Sequence, residues 1–210
     1  MTPIIDIHTH NPRAHEALIA VDPRQFDPQP GLYYSVGFHP WHEVDRLTED
    51  DFTLLERCVS HPQVLAIGET GMDRLRGASL DVQRKVFVRH LRQAHDLGKP
   101  VVVHSVRTAQ EILTARRTAQ LDDVTLIIHG MRGNERVARL LLDAGCYLSF
   151  GERFNPAAVA VTPLDRLLIE TDDNTDLNIH EVAHVVAAAI GLAADAFIAQ
   201  VAATVQRLMF

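Results

Sequence analysis

Apolar residues in this chain fall in short, nearly continuous runs separated by longer amphipathic stretches. Eight such runs can be traced: Pro3-Ile4-Ile5, Glu16 to Val21, Leu32 to Phe38, Val64 to Gly68, Val101-Val102-Val103, Val124 to Ile128, Tyr147 to Phe150, and Leu167-Leu168-Ile169. Their length and β-branched content predict strands. They are continuous rather than alternating, which is the pattern of strands covered on both faces. From the third run onward the intervening stretches read as helices. Thr48, with Asp51 three residues on, is a cap for a helix through Val59, which Pro62 stops. Ser79 opens a long helix to Leu97, closed by Gly98 and Pro100. Further helices are expected from Thr108 to Thr118, from an Asn134 cap to Ala144, and, shorter, after Glu152. The tail from Asn178 to Phe210 reads as two Ala-rich helices hinged near Gly191.

Strand-then-helix alternation implies a parallel sheet, and eight units imply a (β/α)8 TIM-type barrel. Residues 1–210 are expected to form it as one domain. Little sequence separates the first three runs, and Asp22 to Gly31, with Pro23, Pro28 and Pro30, reads as loop. The barrel is therefore expected to be trimmed around the first two βα units and half-open there. A parallel crossover ordinarily needs about a dozen residues, so the second run is expected to be a hairpin return or an irregular edge.

Composition narrows the class. A chain of 210 residues with 47% hydrophobic and 22% charged positions can bury a substantial core. A formal net charge of −7 argues against a broad surface tracking a nucleic-acid backbone, but not against recognition of one strand end. Cys58 and Cys146 lie far apart, without the spacing of a zinc knuckle or a disulfide framework. No apolar run approaches membrane-spanning length and no targeting leader opens the chain, so a cytoplasmic, monomeric protein with no membrane partner is expected.

Polar groups recur where the runs end: His8 and His10, His39, Glu69, His104, His129, Glu152 and Asp172. In a barrel these ends share one rim, the face that carries active sites. Strand alternation puts Asp6, His8 and His10 on one face, with Asp6 beneath the imidazoles as their partner. The same alternation groups Leu65, Ile67 and Glu69, and also Leu168, Glu170 and Asp172. Four histidines and two carboxylates at one rim suit a dinuclear metal centre; imidazole and carboxylate favour zinc, manganese or iron. Arg74, Arg107 and Arg132 follow strand ends and offer guanidinium forks to phosphate oxygens; His39 is a further phosphate contact. Trp41, beside His39, either stacks on a base or covers the trimmed side of the barrel.

The order His-x-His, Gly-Glu-x-Gly-hydrophobic-Asp, apolar-apolar-His, apolar-His-Gly and Glu-Thr-Asp, with Gly37-Phe38-His39-Pro40, resembles the TatD-related metal-dependent hydrolases. The resemblance implies that His8, His10 and Asp172 hold one metal, that Glu69 bridges two, and that His104 and His129 hold the second. It also implies two divalent ions, Mg, Mn or Zn, and hydrolysis of phosphodiesters in nucleic acid, DNA above all. A metal-bridged hydroxide would attack, with Asp172 and Glu69 catalytic. The substrate would be a strand end or a small phosphodiester. The alternative within the enzymes is the same site hydrolysing a carboxylic ester, amide or lactone. Three departures mark a shortened branch: Asn11-Pro12 stands where relatives have Leu-Asp. Gly130 to Gly133 replaces Cys-Phe-Ser-Gly, and Asp173-Asn174 replaces Ala-Pro.

Overall fold

A computed structural model describes residues 3–210. Eight strands follow one another in chain order around a closed barrel. They are β1 (Asp6–Thr9), β2 (Ala17–Val21), β3 (Tyr33–Val36), β4 (Val64–Asp73), β5 (Val101–Val106), β6 (Leu126–Ile128), β7 (Tyr147–Phe150) and β8 (Leu167–Ile169). Seven α-helices accompany them: α1 (Glu49–Val59), α2 (Leu80–Leu97), α3 (Ala109–Thr118), α4 (Glu135–Asp143), α5 (Pro156–Ala160), α6 (Ile179–Ala189) and α7 (Ala194–Met209). Among the described residues no α-helix stands between β1 and β2 or between β2 and β3, as the short spacing predicts; a 3₁₀ turn at Pro23–Gln25 lies between β2 and β3.

Two expectations need correcting. The second run is neither a hairpin return nor an irregular edge: β2 pairs with β1 in parallel, with Asp6 opposite Ala17 and Thr9 opposite Ile19. The barrel is closed, not half-open. The reason is geometric. A four-residue strand such as β1 is only about 13 Å long. The seven residues between Thr9 and Ala17 can span about 23 Å when extended. A loop can therefore carry the chain back to the start of a parallel neighbour without a helix.

The chain divides into two compact units. The first holds residues up to Ile19 together with Ile127–Phe210. Here β8 lies between β7 and β1 in parallel, with Phe150 opposite Ile169 and Asp6 opposite Ile169. Ile5, Ile7, Leu148, Phe150, Leu168, Phe197 and Val201 form its buried interior. Asn134 and Asn178 cap α4 and α6 by accepting the backbone N–H of Val137 and of His180.

The second unit is Ala20–Leu126. β4 runs beside β3 and β5, and Val36, Phe38, Leu55, Ile67, Phe87, Leu91 and Val101 to Val103 are buried. Thr48 and Asp51 form a reciprocal capping box at α1. Gly98 ends α2 in the left-handed conformation at φ 63°. β4 is twice the length its apolar run suggests and continues through the polar Glu69 to Asp73. Its register slips between Ile67, opposite Val101, and Thr70, opposite Val103. Glu69 therefore lies within a strand irregularity, not at a strand end. Two glycines permit it. A Cβ on Gly68 would come within 2.4 Å of the Val102 carbonyl oxygen, and one on Gly71 within 2.1 Å of the His104 carbonyl oxygen.

Candidate metal centre

In the second unit, β3, β4 and β5 deliver three donors to one point. His39 Nε2 lies 3.0 Å from Glu69 Oε1, and His104 Nδ1 lies 2.7 Å from the same oxygen. The two imidazole nitrogens are 3.3 Å apart. Glu69 and His104 are buried and His39 is half-buried. Three donor atoms mutually this close, on side chains removed from water, form the face of a cation's coordination shell. Burial lowers the His39 pKa, against the opposing pull of Glu69, so its imidazole favours the neutral form.

The two imidazoles are held from behind. His39 Nδ1 accepts the backbone N–H of Trp41 at 3.1 Å, so a neutral His39 carries its proton on Nε2, 3.0 Å from Glu69 Oε1. The N–H of Phe38 donates to His90 Nε2 at 3.0 Å, and His90 Nδ1 lies 2.9 Å from the Val86 carbonyl. On its far side His104 meets Asp73, with Nε2 at 3.3 Å from Oδ2. Burial of Asp73 raises its pKa, but the Leu75 N–H, Trp41 and His104 overcome this, and the carboxyl sits below its ordinary range.

The first unit gathers its own donors. His8, His10 and Asp172 come together, as do His129, Glu170 and Asp172, each set within 4.8 Å. His8 Nε2 is 3.6 Å from Asp172 Oδ1, and the His8 and His129 rings lie 4.2 Å apart. Backbone bonds carry the β1–β8 pairing onto the ligand residues themselves. Asp172 N–H donates to the His8 carbonyl and His10 N–H to the Asp172 carbonyl, both at 2.9 Å. Asp172 takes a left-handed φ of 55°, which turns the chain as it leaves β8.

Asp6 does lie beneath the histidine pair, but it works on the backbone, not on the imidazoles. Its Oδ1 accepts the N–H of His8 and of Thr171, both at 3.2 Å, and its Oδ2 accepts the Thr171 hydroxyl at 2.7 Å. Burial pushes its pKa up to about 7, and the Thr171 hydrogen bonds only partly offset this.

Of the arginines, Arg74 is paired with Glu111 and donates Nε–H to the Arg107 carbonyl at 3.1 Å. Arg107 is exposed, at φ 55°. Arg132 Nη2 stands 4.0 Å from Asp172 Oδ2 and so faces the first-unit donors. Glu152 pairs with Arg153 at 3.3 Å.

Two participants are absent from the sequence-based ligand set. His39, expected as a phosphate contact, is grouped with Glu69 and His104, its Nε2 set against the Glu69 carboxylate. Glu170, which alternation places on the face of Asp172, is 1% exposed. Its Oε1 accepts the Gly130 N–H at 2.6 Å and is 3.6 Å from His129 Nδ1. Its Oε2 is buried with no hydrogen-bond partner among the described residues. A desolvated carboxylate oxygen beside imidazole calls for a cation. The donor sets in both units, nitrogen and carboxylate oxygen only, fit divalent zinc, manganese or iron.

Comparison with known proteins agrees with this chemistry. The family profile described as TatD related DNase matches residues 6–209. A protein of Mycobacterium tuberculosis named uncharacterized metal-dependent hydrolase TatD is 36% identical over 154 residues, 67% of this chain and 58% of that protein. A 3'-5' ssDNA/RNA exonuclease TatD of Cronobacter turicensis is 33% identical over 152 residues, 68% of this chain and 57% of that protein. The match thus spans less than two thirds of the length of these curated relatives. Among solved structures, a TatD homolog of Escherichia coli superposes with a TM-score of 0.78 at 20% identity, covering 92% of this chain and 85% of its own. That likeness bears on the fold.

Proposed function

The chain belongs to the TatD related DNase family, and from that premise we propose that it is a divalent-metal-dependent phosphodiesterase acting on nucleic-acid ends. The observation that carries the reading is the convergence of His39, Glu69 and His104 at 2.7–3.3 Å. His8, His10 and Asp172 are the corresponding donors of the first unit. The exonuclease name of one relative supports nucleic acid as the substrate.

In this reading each donor set holds one divalent ion, Mg, Mn or Zn. Bound ions would supply Lewis acidity and lower the pKa of an attacking water toward neutrality. The protein's own groups do the rest. Asp172, part-exposed beside His8, accepts the proton of the water and returns it to the leaving oxygen. The His39 and His104 imidazoles are held by the Trp41 N–H and by Asp73, which limits their reorganisation. Arg132 and Arg107 are the guanidinium groups available to phosphate oxygens; Arg74 must first release Glu111.

The test is a substrate panel on protein purified without chelator, with its metal content measured. Bis-p-nitrophenyl phosphate and end-labelled single strands are expected to be cleaved. Hydrolysis confined to carboxylic esters, amides or lactones overturns the phosphodiesterase reading.

A further inference from the structure

We propose that Trp41 is a stacking platform for a nucleobase of the substrate whose phosphate is held at His39, Glu69 and His104. The inference rests on the phosphodiesterase reading and adds a base-recognition element to it.

Trp41 lies two residues beyond His39, in the loop that follows β3, and it is held from several directions. Its backbone N–H donates to His39 Nδ1 at 3.1 Å, and its indole N–H donates to Asp73 Oδ2 at 2.6 Å. Asp73 is itself fixed: 2% exposed, it accepts the Leu75 N–H at 2.7 Å, and its own N–H donates to Gln83 Oε1 at 2.7 Å. The buried Gln83 amide donates in turn to the carbonyls of Asp73, Arg76 and Ala78, which fastens the loop after β4. That loop presses on the Trp41 loop: a Cβ on Gly77, at φ 83°, would stand 2.2 Å from the Pro40 carbonyl oxygen.

The ring thus immobilised remains 44% exposed. Its neighbours are the donors themselves, with ring centroids 4.8 Å from His39 and 5.3 Å from His104. The Arg76 guanidinium lies over the indole, 4.5 Å from its centroid, so it covers one ring face and a base stacking there must displace it. Here a rigid aromatic surface is presented to solvent within one nucleotide's span of the candidate phosphate site. Fixing the ring in advance removes the ordering cost of a stack, and base–aromatic stacking tolerates any base because every base has a π-face. Arg76 adds a cation able to take part in the same stack. A sugar phosphate without a base would leave this surface wet.

Trp41 is the chain's one tryptophan, so its fluorescence reports on this surface alone. Metal-loaded protein is titrated with deoxyadenosine 5′-monophosphate and, separately, with 2-deoxyribose 5-phosphate. Saturable quenching by the nucleotide and none by the sugar phosphate is expected. Absence of nucleotide quenching, or equal quenching by both, overturns the proposal whether or not the protein cleaves phosphodiesters. Trp41→Leu is expected to raise KM for a single strand about tenfold, about 1.4 kcal/mol. The same substitution is expected to leave KM unchanged for a strand ending in an abasic residue. Trp41→Phe, which keeps a ring and loses the N–H, is expected to restore most of the affinity. If Phe is as weak as Leu, the hydrogen bond to Asp73 and not the ring accounts for the effect, and the platform is refuted. Cleavage with normal KM in Trp41→Leu leaves a phosphodiesterase without a stacking site. Nucleotide quenching without any phosphodiester cleavage keeps the stacking surface and removes the reaction.

Discussion

Glu170 illustrates how a side chain two positions from a ligand can matter as much as the ligand. It holds the turn after His129 through the Gly130 N–H and faces the Nδ1 edge of His129. Carboxylates placed behind a ligating histidine set its tautomer and ring direction. Replacing Glu170 by Ala is therefore expected to weaken Mn²⁺ or Zn²⁺ binding by about 10–100-fold, read by titration calorimetry; unchanged affinity would exclude the role. Direct donors behave more severely. Glu69→Ala and His129→Ala are each expected to abolish turnover while leaving the circular-dichroism melt of the metal-free protein nearly intact, since both lie where packing is already polar. Retention of full activity by either variant would break the ligand assignment.

At the scale of elements, α2 carries a buried group whose protonation the fold resists. His90 is fully buried and accepts the Phe38 N–H, one residue before His39. Burial holds its pKa down to about 4. An unfolded chain would protonate it near 6.5, so between those values the unfolded state binds the extra proton. Stability is present in full above pH 6.5 and falls as pH drops toward 4, by about 1.4 kcal/mol per pH unit. Urea melts across this range check it. His90→Phe should start from a lower stability, having left the Phe38 N–H unpaired, and show a flatter pH dependence. β4 offers a second test. Gly68→Ala would drive a methyl group into the Val102 carbonyl at a left-handed-side φ of 134°. A loss of more than about 2 kcal/mol is expected in denaturant unfolding.

For the whole molecule, ion binding and stability are linked. An ion that binds only the folded chain, present at about a hundredfold over its dissociation constant, adds about 2.7 kcal/mol. For a chain of this length that corresponds to about 5–10 °C in Tm. Scanning calorimetry before and after chelation measures it, and a Tm indifferent to chelator would mean that the donor sets hold no ion in the folded state. No single helix among the described residues is long and apolar enough to cross a membrane.

The barrel class and most helix limits were legible along the chain because each depends on local chemistry. Apolar runs state the strands, Thr48, Asn134, Gly98 and Gly191 mark helix ends, and His and Glu at the ends of runs stand as candidate ligands. Direction and closure were not legible. Whether β2 returns parallel to β1 depends on the length of a strand set against the reach of a loop, and the residues of neither encode that comparison. The grouping of His39 with Glu69 and His104 likewise depends on the slipped register of β4, which breaks simple alternation at the one place where it was used to aim Glu69. Nor could Asp6 be assigned to backbone rather than imidazole without Thr171, 165 positions away. The chain by itself determined which elements form and which side chains stand as candidates near their ends. Tertiary structure alone decided which atoms of those groups face one another, because that choice rests on register and on partners remote in sequence.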